Sequence, residues 1–103
     1  MKVLIHVNEL EKWESALANI KNLKKATKIQ KIALVLNGEA VNLVTDPSRQ
    51  DEVLAKIKVF VCNHSLRRQR IDRFMLLPIF KVVDSGVVKI VELQNKGYRY
   101  IKP

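Results

Sequence analysis

Apolar residues fall in five short blocks separated by longer, more polar stretches. Val3-Leu4-Ile5-His6-Val7, Ile32-Ala33-Leu34-Val35-Leu36, Val59-Phe60-Val61-Cys62, Ile79-Phe80-Lys81-Val82-Val83 and Tyr98-Arg99-Tyr100-Ile101 are rich in β-branched and aromatic side chains and end at polar or turn-forming positions. That composition predicts strands. Residues 32–36 show no polar alternation, the pattern of a strand covered on both faces. Between the first two blocks Leu10, Trp13, Leu17, Ile20 and Leu23 recur at three- and four-residue spacing, which places them on one face of a helix. Asn8 is suited to cap that helix, with Glu9 and Glu11 in its first turn and lysines crowding its last, where they oppose the helix dipole.

The remaining connections are less regular. Asn37-Gly38 is a turn signal, and residues 39–44 fit either a short helical turn or an irregular segment. Thr45-Asp46-Pro47-Ser48 reads as a loop whose Asp46 or Ser48 caps a helix over 49–56, carried by Val53, Leu54 and Ile57. After Cys62, Asn63 or Ser65 can start a short helix, and 71–77 suggests another turn, stopped by Pro78. Residues 87–93 favour strand by propensity. Yet Val87, Ile90, Val91 and Gln94 keep helical spacing, Asp84 or Ser85 can cap, and Lys96-Gly97 is a stop signal, so a helix is expected. Strand and helix alternate throughout, which predicts one α/β domain over 1–103, a five-stranded, mostly parallel sheet with helices on both faces.

Composition narrows the partners. The chain has 103 residues, 48% of them hydrophobic, enough for one compact core. No apolar run approaches membrane-spanning length, and the start turns polar too soon for a signal sequence, so a soluble, cytoplasmic protein is expected. A single cysteine rules out an intrachain disulfide and an internal two-thiol redox pair. The net charge of +9, from 19 Lys and Arg against 10 Asp and Glu, predicts attraction to anions. Lys12, Lys21, Lys24, Lys25, Lys28 and Lys31 read as the solvated face of a helix, while Arg67, Arg68, Arg70 and Arg73 follow the cysteine. Six aromatic residues without a stacking pattern argue against nucleic acid as the partner.

In a parallel sheet the carboxyl ends of the strands share one rim, where open α/β folds bind ligands. That rim would gather His6, Asn8, Asn37, Gly38, Glu39, Cys62, Asn63, His64, Ser65, Asp84, Ser85 and Gly86, with Arg67, Arg68 and Arg70 adding positive field if they turn toward it. His6, Asn8, Asn37, Gly38, Asn63, His64, Ser65 and Arg67 form the expected substrate- or anion-binding set around a nucleophile at Cys62. A helix starting after Cys62 would aim backbone N–H groups at its sulfur and favour thiolate. The plainer alternatives are an inert buried thiol at Cys62 and ordinary imidazoles at His6 and His64. A zinc site from His6, Cys62 and His64 has no recognised ligand spacing behind it. GxGxxG, Walker A and CxxC motifs are absent, so no cofactor is called for. Glu39 and Asp84 do not suggest a paired acid and base, and Ser65 and Ser85 lack the GxSxG context of a nucleophilic serine.

Four stretches taken in order carry a family resemblance. They are His6-Val7-Asn8-Glu9 with Trp13, Leu36-Asn37-Gly38-Glu39-Ala40-Val41, Val61-Cys62-Asn63-His64-Ser65-Leu66, and Val82-Val83-Asp84-Ser85-Gly86-Val87 leading to Gly97-Tyr98-Arg99-Tyr100-Ile101. Together they resemble the single-domain branch of the DsrE/DsrF-like family of small sulfur-metabolism proteins, over nearly the whole chain. The resemblance implies a flavodoxin-like three-layer α/β/α fold and a homotrimer or larger ring such as a hexamer. It also implies a cysteine after the third strand that carries sulfur as a persulfide between donor and acceptor proteins. Cys62 alone matches that position. A glycine common before the third strand is missing, its place taken within Ala55-Lys56-Ile57-Lys58. The reading that results is a sulfur carrier or sulfurtransferase-like protein. Its alternative is a non-catalytic oligomeric module that binds a small anion or a partner and keeps Cys62 for structure.

Overall fold

A computed structural model describes every residue, Met1–Pro103. Its five strands are β1 (Lys2–Val7), β2 (Lys31–Leu36), β3 (Lys58–Cys62), β4 (Phe80–Val83) and β5 (Tyr98–Ile101). All four pairings are parallel, in the order β4-β3-β2-β1-β5, so the carboxyl ends do share one rim. The first three connections step one way across the sheet, and the last returns to lay β5 beside β1. The three-layer α/β/α architecture is the expected one. Here β2 stands between β1 and β3, where the 2-1-3-4-5 winding has β1 beside β3.

Strand side chains alternate between faces. Val3, Ile5 and Val7 of β1, Ile32, Leu34 and Leu36 of β2, and Val59 and Val61 of β3 point to one face and join Trp13, Ala16, Leu17 and Ile20 of α1 (Trp13–Lys25) in a core of 20 buried residues. Leu4, Ala33, Val35, Phe60 and Tyr98 point to the other face, where Ile90 and Leu93 of α3 (Gly86–Asn95) complete a group of seven. The helix over 87–93 therefore forms despite its β-branched residues. Ser85 accepts from the Val88 N–H at 3.3 Å, and α3 lays its apolar stripe on the sheet.

Several local expectations are corrected. Asn8 does not cap the first helix. A 3-10 turn, Leu10–Lys12, precedes α1 with Glu9 at its cap position, and the Leu10 N–H is taken by Glu39 Oε1 at 3.2 Å, a carboxylate from the next connection. No α-helix spans 49–56. The segment is two 3-10 turns, Pro47–Arg49 and Glu52–Lys56, each opened by an aspartate that accepts a backbone N–H two residues on: Asp46 from Ser48 at 3.0 Å and Asp51 from Val53 at 2.9 Å. Two such local acceptors five residues apart restart the chain before a helical turn can propagate. Residues 39–44 resolve as part of a 3-10 helix, Gly38–Thr45, with Ala40, Val41, Leu43 and Val44 buried. Over 71–77 only Arg73–Met75 turns, again behind an aspartate, Asp72. No helix is long and apolar enough to cross a membrane.

Candidate functional site

Cys62 is the last residue of β3 and also the N-cap of α2 (Asn63–Arg68), the short helix that opens with Asn63. The chain turns from strand to helix at the sulfur itself, so N–H groups of the first turn face it. The start of α3 reaches the same atom because residue 86 is glycine. A Cβ there would lie 3.1 Å from Cys62 Cβ and 3.2 Å from Asn37 Cβ, too close for any larger residue without a shift. Two helix starts thus converge on one thiol.

Cys62 is 6% exposed. Burial by itself would push the thiol up, but the Ser65 hydroxyl and the backbone N–H groups of Gly86, Ser65 and His64 near it favour the thiolate and outweigh it, so the thiol lies below its ordinary value. The Ser65 hydroxyl is itself oriented. Its oxygen accepts the Gly38 N–H at 2.8 Å, which leaves its proton for the sulfur. Gly38 supplies that N–H from a left-handed backbone, φ +59°, and a Cβ there would stand 3.1 Å from the Asn8 carbonyl oxygen. The glycines of two different connections are therefore needed for one sulfur environment.

A cleft of about 340 Å³ opens beside the thiol, with Asn37, Gly38, His64, Ser65, Arg68, Gln69, Ser85 and Val87 around Cys62. Five of the nine anticipated residues, Asn37, Gly38, Cys62, His64 and Ser65, line it. The other four do not. Arg67 is exposed on α2 and points elsewhere, and its neighbour Arg68 takes the place expected of it, since successive residues of a helix face different directions. Asn63 is buried at the base of α2. Asn8 lies behind Gly38, its Oδ1 buried and without a hydrogen-bond partner. His6 acts one residue removed: its Nε2 meets Asn37 Oδ1 at 2.8 Å and its Nδ1 meets the Tyr100 hydroxyl at 2.6 Å. Arg68 and Ser85 line the cleft and Gly86 closes on the thiol, as their place on the rim allowed, whereas Tyr100, Gln69 and Val87 were not anticipated as site residues. His6, Cys62 and His64 do not converge, and no group of three His, Cys, Asp or Glu side chains could hold a metal ion. A second hollow of about 340 Å³ lies at the amino ends of the strands among Lys24, Lys31, Lys56 and Lys58, with no nucleophile in it.

The model of the DsrE/DsrF-like family matches residues 1–103. The chain belongs to the DsrE/DsrF-like family. Membership associates the chain with sulfur relay in general. Among solved structures, this DsrE/DsrF-like chain is similar to a protein of unknown function from Methanobacterium thermoautotrophicum, with 25% identity and a TM-score of 0.86 over 99% of this chain and 98% of that one. No curated protein matches the sequence.

Proposed function

We propose that the protein is a sulfur carrier that holds sulfane sulfur as a persulfide on Cys62. The observation that carries this reading is the place of Cys62, at the turn from β3 into α2, with the start of α3 against it at Gly86 and a polar cleft opening beside the sulfur. Such an environment stabilises a sulfur anion, and it serves thiolate and persulfide alike. The cleft gives a small donor access to the sulfur. Mass spectrometry of protein incubated with polysulfide or thiosulfate tests the reading. Wild type should gain one sulfur that a reductant removes, and Cys62→Ser should gain none; a wild type that stays unmodified with both donors overturns it.

One thiol can hold sulfur but cannot complete a cycle, so this function requires a donor and an acceptor, proteins among them. It also fits assembly into a homo-oligomer: Val87, Val88 and Val91 are exposed on α3 beside the cleft, an apolar surface that a neighbouring copy would cover. The second reading, a binding module with a structural cysteine, draws on the burial of Cys62 and its tight approach to Gly86. Slow alkylation of Cys62 at neutral pH would favour it; rapid alkylation favours the carrier.

A further inference from the structure

We infer that the cleft beside Cys62 seats the oxyanion end of a sulfane donor, of which thiosulfate is the simplest, because its polar lining offers hydrogen-bond donors and no carboxylate. This rests on the reading of Cys62 as the sulfur acceptor and names the donor it is built for. Two primary amides border the cleft, and each has its oxygen already engaged. Asn37 Oδ1 meets His6 Nε2 at 2.8 Å. Because an amide oxygen can only accept, this contact places a ring proton on Nε2, with Nδ1 turned to the Tyr100 hydroxyl at 2.6 Å, and Asn37 keeps its NH₂ end free. Gln69 Oε1 accepts from Asn42 Nδ2 at 3.0 Å, and Asn42 is held in that orientation by donating from the same nitrogen to the Glu39 carbonyl at 3.0 Å. Gln69 therefore also keeps its NH₂ end free.

The cationic group of the lining is equally uncommitted. The ion pairs of the protein are Lys21 with Asp51, Arg49 with Asp46 and Lys89 with Glu92, so Arg68 is in none of them. The rim carboxylates are turned away: Glu39 takes the Leu10 N–H, and Asp84 borders a separate hollow with Lys89 and Glu92. Asn37, Arg68 and Gln69 thus present N–H groups around a space next to the sulfur. Sulfonate-type oxygens accept several charge-assisted hydrogen bonds at once, whereas the sulfurs of a bare polysulfide are weak acceptors and would leave these donors unpaired.

The step balances without a further reagent. The Cys62 thiolate attacks the outer sulfur of thiosulfate, a new sulfur–sulfur bond forms, the old one breaks, and sulfite leaves with its electron pair. Negative charge grows on the sulfite oxygens as the bond breaks, where the amide and guanidinium donors face it.

The test compares two donors on exposed-residue variants that should fold normally. Loading of wild type, Arg68→Gln and Gln69→Glu is followed by mass spectrometry with thiosulfate and, separately, with polysulfide, and Cys62→Ser is titrated with sulfite by calorimetry. Both variants should slow thiosulfate loading by roughly 10- to 100-fold, the effect of losing hydrogen bonds to a charged group, and slow polysulfide, which feels the lost positive charge but makes no such hydrogen bonds, by clearly less. Cys62→Ser should bind sulfite and lose that binding when Arg68→Gln is added. Equal slowing with both donors, or a wild type that polysulfide loads and thiosulfate does not, overturns the inference while the carrier reading stands. A wild type that neither donor loads removes the carrier reading, and the sulfite titration then decides the oxyanion seat alone.

Discussion

On one face of the sheet α1, the 3-10 segments and α2 enclose 20 buried residues; on the other, α3 alone crosses the strands and seven residues are buried. The thick face is organised around Trp13, whose ring is 1% exposed and whose indole N–H donates to the Arg49 carbonyl at 2.8 Å. The thin face substitutes cations for helix: Lys89 Nζ sits 4.4 Å from the centre of the Phe60 ring and Lys2 Nζ 5.6 Å from that of Tyr98. His6, Cys62 and Tyr100 all project to the thin side, by alternation from Leu4, Phe60 and Tyr98. A face covered by one helix leaves room at its rim for a cleft, walled on its other side by α2.

The largest effect should come from breaking the thick face. Trp13→Ala is expected to cost about 3–5 kcal/mol in urea unfolding, since it removes a large buried ring and the Arg49 contact. Gly86→Ala comes next. The new methyl meets Cys62 and Asn37 at 3.1 and 3.2 Å, and a loss of about 1–3 kcal/mol is expected, with sulfur loading falling further than stability accounts for because the Gly86 N–H moves off the sulfur. A stability loss with unchanged loading would show that α3 packs on the site without serving it.

Ser65→Ala should cost about 1–2 kcal/mol by leaving the Gly38 N–H without its acceptor. It should also raise the thiol pKa, read as an upward shift in the pH midpoint of alkylation. A smaller effect follows from linkage. The Cys62 thiol is depressed below its ordinary value of 9.0, so its thiolate contributes stability that is fully present above the unfolded-state value and is lost as pH falls through the folded one. The melting temperature of wild type relative to Cys62→Ser should therefore rise as pH goes from neutral towards about 9. A constant gap would mean that the fold does not favour the thiolate. The smallest effect is expected at Val91, 60% exposed on α3. Val91→Lys should shift stability by less than about 0.5 kcal/mol while lowering the molar mass measured by light scattering, as expected if copies meet on the thin face.

Hydrophobic spacing and residue preference, with the Ser85 cap of α3, specified the five strands, α1, α3 and the position of the only cysteine at a strand end that opens a helix; β5 occupies the expected residues, Tyr98–Ile101. These features depend on side-chain spacing within a few residues, which a chain carries wherever it folds. The tertiary structure decided the rest. Glu39 takes the N–H that Asn8 would have capped, from 29 residues away. Gly86 became a point of closest approach to Cys62 only when β3 and β4 paired. Arg68 rather than Arg67 faces the cleft because α2 begins at Cys62 and so fixes the helical phase of every residue after it. His6, Asn37 and Tyr100 met because β2 and β5 both pair with β1. The physical reason is common to all four: hydrogen-bond partners and contacts between distant segments are set by strand order and helix phase, and local spacing carries no record of either.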